Sequence, residues 1–116
     1  MHEMGIAIDL IAQVLKVGKE NNLELISEIE VEAGVLRLIE PEAMEVAWKS
    51  VCEGTIAEGS TIKLSEIPPS AKCRKCKNTF TPQMDDFRCP KCLIADVDLI
   101  SGNDLILKSI AGEKKD

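Results

Sequence analysis

The chain has 116 residues, of which 45% are hydrophobic and only 3% are aromatic, and its formal net charge is −6. This length suffices for one domain with a mostly aliphatic core, or for one domain with a small metal-stabilised module. The acidic balance and the scarcity of aromatic side chains argue against general binding of nucleic acids, which favours basic surfaces and stacking side chains.

Residues 4–19 are predicted to form a helix, because apolar side chains recur every four positions from Ile6 and from Ala7 and produce a broad apolar face. Gly18 and two following asparagines mark the end of this helix. Residues 25–33 then alternate between aliphatic and glutamate side chains, which is the pattern of a strand with one buried and one solvated face.

A second helix is predicted to begin at Pro41, because proline is favoured at the first helical position, and Gly54 closes it. Cys52 adjoins the apolar stripe of this helix, and we interpret it as a small core residue and not as a metal ligand. Residues 61–67 are predicted to form a strand that two prolines end.

Two apolar runs, residues 97–100 and 105–110, are separated by a Ser-Gly-Asn-Asp turn signal, and the second run is expected to return to the main sheet. The order helix, strand, helix, strand, cysteine-rich segment, strand predicts an α+β fold. We expect two helices on a small, mostly antiparallel three-stranded sheet, with an inserted four-cysteine module like a zinc ribbon.

Three parts of the chain are predicted. Residues 1–70 with 96–112 form an α/β domain, residues 71–95 form a metal-binding domain, and residues 113–116 form a flexible tail. No apolar run approaches the ~20 residues that cross a bilayer, and no secretory or transit signal is recognised. We therefore expect a cytoplasmic protein that does not bind membranes.

Four cysteines form two C-x2-C pairs, Cys73 with Cys76 and Cys89 with Cys92, and twelve residues separate the pairs. Four thiolates make the closed tetrahedral set of structural Zn²⁺ sites. Such a site has no vacancy for a substrate, so we expect no enzymatic activity. Two disulfides are the weaker alternative in a reducing compartment. The sequence does not distinguish zinc from iron, which the same cage holds in rubredoxin-like electron carriers.

The cysteine segment is basic although the chain is acidic. Residues 72–92 carry six basic and two acidic side chains, a formal +4, so that the remaining chain carries −10. One interpretation is a solvated surface whose lysines offset the negative zinc–thiolate centre. The other is a docking face for an acidic partner. A zinc-ribbon module that binds nucleic acid or protein through these cations is the alternative function.

The N-terminus offers a different set of donors. His2 is the single histidine and adjoins the free amine of Met1. The amine, the His2 backbone nitrogen and imidazole Nδ1 can close two fused rings on one ion, in the planar arrangement that suits Ni(II) or Cu(II). The Glu3 carboxylate, another carboxylate such as Glu40, a water or a receiving protein would supply the fourth donor. Alternatively, His2 is an exposed residue without a task and Glu3 only favours the helix start.

Met1-His2-Glu3 at the start of an apolar helix resembles the beginning of the hydrogenase nickel-incorporation proteins, the HypA family of nickel metallochaperones. Further stretches are similar to that family, namely Gly54 to Gly59, Pro68 with the two C-x2-C pairs that follow, and Ser101 to Leu105. Three positions depart from its pattern: Gly5 stands where serine is usual, and Lys77 and Leu93 follow the C-x2-C pairs where glycine is common.

The resemblance implies a nickel-binding α/β domain joined to a zinc domain. It implies delivery of Ni(II) to the immature large subunit of nickel–iron hydrogenase, together with a nickel-binding GTPase, and some members also serve urease. The nickel ligands carried over are the backbone nitrogens of Met1 to Glu3, the His2 side chain and the Glu3 side chain, and the zinc ligands are the four paired cysteines. We expect a monomer or weak homodimer.

Overall fold

The chain is described from residue 2 to residue 114 in a computed structural model. Met1 and residues 115–116, which include the end of the predicted tail, lie outside the described residues. Two helices and six strands follow one another within residues 2–114. They are α1 (His2–Glu20), β1 (Leu23–Gly34), α2 (Pro41–Cys52), β2 (Thr61–Ile67), β3 (Ser70–Cys73), β4 (Thr79–Phe80), β5 (Val97–Ser101) and β6 (Leu105–Lys114), with a short 3-10 turn at Val35–Arg37 after β1.

The strands form two three-stranded sheets, in the orders β2-β1-β6 and β4-β3-β5. In the first sheet, β1 and β6 run in opposite directions. Two hydrogen bonds show this: Ser27 Oγ donates to the Ala111 carbonyl (3.2 Å), and the Gly34 N–H donates to the Asp104 carbonyl (2.7 Å). The predicted α+β class and the return of the last apolar run to the main sheet are therefore confirmed.

The second sheet was not expected from the sequence. Strand β3 pairs antiparallel with β4 and with β5, and Cys73 lies opposite Val97. The sequence analysis grouped residues 97–100 with the α/β body, and the structure pairs them with the segment that leads into the cysteines. Strands β3 and β4 have only four and two residues, which is too short for an alternating pattern to be visible.

Two compact units make up the described chain. One contains both helices and most of β1, β2 and β6, and the other contains Ala33–Leu38 and Glu66–Leu105. No helix among residues 2–114 has the length and apolarity needed to cross a membrane.

An aliphatic core fills the first unit, as the helical periodicity predicts. Most side chains of this unit that are 2% exposed or less come from the predicted apolar faces of both helices and from β1. They include Ala7, Leu10, Val14, Met44, Ala47, Trp48, Ile29 and Val31. The Trp48 indole Nε1 donates to Ser60 Oγ (3.0 Å), so the buried indole nitrogen is satisfied.

Cys52 is buried at the end of α2, 3.7 Å from Ser60 Oγ. Burial raises the pKa of its thiol, although the hydrogen bond to Ser60 opposes this shift. A buried, protonated thiol is a core residue, and the interpretation of Cys52 is confirmed.

Gly34 ends β1 against the turn that precedes β6. The Leu36 N–H donates to the Gly102 carbonyl at 2.8 Å, which holds the two backbones close together. A Cβ at Gly34 would collide with backbone atoms of Gly102 and Asn103, whereas a Cβ at Gly5 would meet no atom within 4 Å. The backbone leaves no room at Gly34 for any side chain.

Gly34→Ala is expected to lower the free energy of unfolding by about 1–3 kcal/mol, the usual cost of overpacking. The matched control Gly5→Ala is expected to raise it by about 0.5–1 kcal/mol, because alanine is favoured over glycine inside a helix. Urea unfolding followed by circular dichroism measures both. Equal stability of the two variants would contradict the close approach at Gly34.

Candidate metal centres

The four paired cysteines converge in the second unit. Their sulfur atoms all lie within 4.8 Å of one another, and within residues 2–114 no other group of three or more His, Cys, Asp or Glu side chains meets in this way. The Cys73 and Cys92 sulfurs are 3.8 Å apart and the Cys76 and Cys89 sulfurs are 3.6 Å apart. A tetrahedral ion with metal–sulfur bonds of about 2.3 Å requires sulfur–sulfur edges of about 3.8 Å. The donor set therefore fits one tetrahedral ion, and the cysteines are not joined as disulfides.

The same turn follows the first cysteine of each pair. The Lys77 N–H donates to the Cys73 carbonyl at 2.9 Å, and the Leu93 N–H donates to the Cys89 carbonyl at 2.8 Å. Lys77 and Leu93 have φ angles of 64° and 58°, in the left-handed region. These are the two positions where the sequence departs from the glycine that the resemblance implies. Both side chains are thus held in a conformation that glycine adopts without cost.

Backbone N–H groups in each turn also stabilise a thiolate. Hydrogen bonding from the Cys76 N–H is the main cause that lowers the pKa of Cys73. Burial raises the pKa of Cys89, but hydrogen bonds led by the Cys92 N–H outweigh burial and lower it to about 6. The pKa of Cys92 rises to about 12, mainly because hydrogen bonding to Cys76 stabilises its protonated form. Two sulfurs therefore favour the charged form that binds metal.

At the start of α1, the Glu3 carboxylate is held in a specific contact. Its side chain is only 9% exposed, and Glu3 Oε2 accepts from the Glu40 N–H at 3.1 Å. Glu40 itself caps α2, because its Oε2 accepts from the Ala43 N–H at 2.7 Å. The hydrogen bond from the Glu40 N–H is the main effect that lowers the pKa of Glu3. Burial raises this pKa, and the nearby His2 lowers it further. Glu3 thus ties the beginning of α1 to the beginning of α2.

The same carboxylate contacts the single histidine. His2 Nε2 lies 3.2 Å from Glu3 Oε2, and the His2 side chain is 52% exposed. If the neutral imidazole carries its hydrogen on Nε2, directed at the carboxylate, then Nδ1 has no hydrogen. A ring nitrogen without a hydrogen is the one that can bind a metal. Nδ1 is also the ring nitrogen nearer the His2 backbone, as the predicted chelate requires. The predicted amine ligand of Met1 lies outside the described residues.

Sequence reasoning missed the link between Glu3 and Glu40. The sequence analysis named Glu40 only as one possible fourth donor. Its placement immediately before Pro41 was an available sign of a helix cap. The contact with Glu3 had no sequence signal, because 37 positions separate the two residues.

A small α+β protein with a four-sulfur metal cage in one unit and a histidine–carboxylate pair at its N-terminus belongs to the class of metal-handling proteins. Residues 1–112 match the model of a family described as hydrogenase/urease nickel incorporation, metallochaperone, HypA. The chain therefore belongs to this family, and the resemblance seen in the sequence is confirmed.

Relatives match along almost their entire length. The hydrogenase maturation factor HypA of Chlorobium limicola is 31% identical over 116 residues, with 100% of both chains covered. That of Aquifex aeolicus is 31% identical over 110 residues, which cover 95% of this chain and 96% of the relative.

Solved structures show the same fold. The solution structure of the Ni metallochaperone HypA from Helicobacter pylori has a TM-score of 0.73 and 21% identity, covering 97% of this chain and 98% of that one. Another solution structure, of a HypA protein, has a TM-score of 0.75 and 22% identity, covering 99% and 98%.

Cys73→Ser is expected to remove the tightly bound ion. Loss of a hydrogen-bond partner of a metal ligand already lowers metal affinity about 10- to 100-fold, and this substitution removes a ligand itself. The melting temperature is expected to fall with it, since metal binding contributes to folding. Elemental analysis and thermal unfolding measure both effects. Cys52→Ala is the matched control and keeps its metal; a Cys73→Ser protein with full metal content would refute the cage.

Proposed function

We propose that the chain carries Ni(II) as cargo at its N-terminus and delivers it, with a nickel-binding GTPase, to the immature large subunit of nickel–iron hydrogenase. The family match over residues 1–112 supports nickel delivery. The contact of His2 Nε2 with Glu3 Oε2 at 3.2 Å supports His2 as a ligand, because it orients the imidazole and selects the ring nitrogen that binds.

The nickel site that we propose uses the Met1 amine, the His2 backbone nitrogen and His2 Nδ1 in one plane, with Glu3 beside them. Deprotonated amide and imidazole nitrogens in a planar set suit Ni(II). Glu3 Oε2 contacts His2 Nε2, which faces away from Nδ1, so the Glu3 carboxylate can become the fourth donor only if it leaves this contact. Glu40, a water or an atom of the receiving protein are the other candidates.

A site of this kind supports release as well as binding. It lies at an exposed end of the chain and has few protein donors, so a partner protein can compete for an open coordination position on the ion. Binding must also expel the proton of the backbone amide nitrogen, so nickel affinity is expected to fall as the pH falls.

The cysteine site is proposed to hold Zn(II) permanently. Four thiolates complete the tetrahedral coordination of the ion and leave no open position at which a receiving protein could bind it. In this proposal the zinc module shapes a surface for partners and does not exchange its ion, and the chain acts as a carrier without catalysis. Iron in the same cage would make the purified protein coloured, whereas zinc leaves it colourless.

The setting of the proposed activity is the cytoplasm, where the GTPase and the hydrogenase precursor would meet the carrier. Neither a membrane nor a nucleic acid has a part in it. We propose residues 1–70 with 96–112 as the nickel domain and residues 71–95 as the zinc domain, acting as a monomer or weak homodimer.

His2→Ala is expected to weaken nickel binding by more than about 100-fold, because it removes the imidazole ligand and the chelate ring that the imidazole closes. Isothermal calorimetry on protein that begins at Met1 measures the affinity. Zinc content and helix signal are expected to be unchanged. Asp9→Ala removes an exposed carboxylate from the same helix and should bind nickel normally. Unaltered nickel affinity in His2→Ala would refute the N-terminal site.

Two extra residues placed before Met1 are expected to weaken nickel binding while leaving every side chain in place. The extension moves the amine away from the proposed chelate, so that the first fused ring is lost, whereas a single extra residue would let the new amine, two amides and the imidazole close three fused rings on the ion. Calorimetry of the extended and native-start proteins, prepared side by side, gives the difference. A tolerated extension would show that side chains alone hold the ion.

A further inference from the structure

Arg74 lies inside the first C-x2-C pair and reaches the chain segment that follows the second pair. Its Nε donates to Asp98 Oδ1 at 2.9 Å, and its Nη1 donates to Asp96 Oδ1 at 2.9 Å. Its Nη2 lies 2.8 Å from the same oxygen of Asp98. The Arg74 N–H also donates to the Asp96 carbonyl at 3.0 Å. We call these contacts the Arg74 bridge.

The Arg74 bridge closes the loop that carries the metal ligands. Strand β3 pairs with β5 as far as Cys73 and Val97, and the backbone bond from Arg74 to Asp96 adds one further step at the end of this ladder. Three of the four cysteines lie in the loop between residues 74 and 96, and Cys73 lies at its base. If this end of the ladder opened, Cys73 could move away from the sulfurs of the second pair.

The end of a ladder is where a sheet opens most easily, because local opening at the end of an element costs little free energy. Strand β3 has only four residues. Oppositely charged side chains on neighbouring strands stabilise their pairing, and Arg74 binds two carboxylates at once. All three side chains are more than half exposed, so the Arg74 bridge adds little to overall stability. Its effect is expected in the local opening next to the sulfurs.

The other charged residues of the two cysteine pairs make no such link. Arg88 Nε and Nη2 contact the Asp86 carboxylate at 3.0 Å, only two positions away, and so hold a local turn. Within residues 2–114, no ion pair includes Lys75, the neighbour of Arg74 in the same turn. Lys75 therefore offers a matched control that carries the same charge without the link.

We propose that Arg74 is a positioning residue for the cysteine site, and that the Arg74 bridge slows the loss of the bound ion. An ion leaves four thiolates one bond at a time, and a detached thiolate that stays close to the ion binds it again. The bridge keeps Cys73 close to the other ligands during such an event. This inference rests on the proposed function in one respect, namely that the cysteine site keeps its zinc.

The test follows the transfer of zinc from the full chain to an excess of a chromophoric chelator. Arg74→Gln is expected to speed zinc loss about three- to tenfold, because it removes both ion pairs. Lys75→Gln removes the same charge from the same turn and is expected to change the rate less than about twofold. Arg74→Lys keeps the charge but not the planar fork, and should restore part of the retention. Equal rates for Arg74→Gln and Lys75→Gln would overturn the proposal.

Asp98→Asn distinguishes the bridge from a general weakening of the fold. It is expected to speed zinc loss about two- to threefold in the unaltered chain. In Arg74→Gln it should have no further effect, because the shared contact is already lost. Added salt should likewise speed zinc loss more in the unaltered chain than in Arg74→Gln. Fully additive effects of the two substitutions would overturn the proposal.

The same measurement distinguishes failure of this inference from failure of the proposed function. Immediate zinc loss from the unaltered chain would overturn the permanent zinc site, and the role of Arg74 with it. Slow zinc loss that proceeds at the same rate in Arg74→Gln would overturn the role of Arg74 alone.

Discussion

The arrangement of residues at the start of α1 depends on the contacts that the buried Glu3 carboxylate makes. One oxygen accepts from the Glu40 N–H at 3.1 Å and lies 3.2 Å from His2 Nε2. The first contact anchors the start of α1 to the start of α2, and the second orients the imidazole. Because Glu40 is itself the cap of α2, the position of the histidine is linked to the packing of the two helices. In the proposed nickel site, this contact would hold the imidazole in a defined orientation toward the ion.

The two metal centres are built on opposite principles. The cysteine cage uses four soft donors whose sulfurs lie within 4.8 Å of one another, and two turns of identical hydrogen bonding support it. The donors proposed at the N-terminus are nitrogen and oxygen atoms. Soft, closed sites retain zinc, whereas planar nitrogen sites with an open coordination position favour nickel and permit its transfer. Under the proposed function, this separation of donor types would allow one small chain to keep one metal while it passes on another.

Much of this arrangement could be predicted from the sequence because its signals are local. Periodicity identified α1, Pro41 marked the start of α2, and alternation identified β1 with its buried Ile29 and Val31. The spacing of the cysteines predicted that their sulfurs converge. Lys77 and Leu93, noted as departures from glycine, are the residues with left-handed backbone in the two turns.

The features that escaped prediction depend on distant contacts or very short elements. No sequence pattern announces that Glu3 meets Glu40, or that Gly34 lies against Gly102. Residues 97–100, an apolar run that was grouped with the α/β domain, form strand β5, which pairs with the short strand β3. The cations of the metal module could be counted in the sequence, but only the structure distinguishes the paired arginines from the lysines.

X-ray absorption at the nickel and zinc edges of one native-start sample, loaded with both ions, tests the central claim most directly. The account predicts a nickel spectrum with only nitrogen and oxygen neighbours in a planar arrangement. It predicts a zinc spectrum with four sulfur neighbours at about 2.3 Å. Sulfur neighbours around nickel would contradict the separation of the two sites, since they would place the cargo in the cage that is held to be closed.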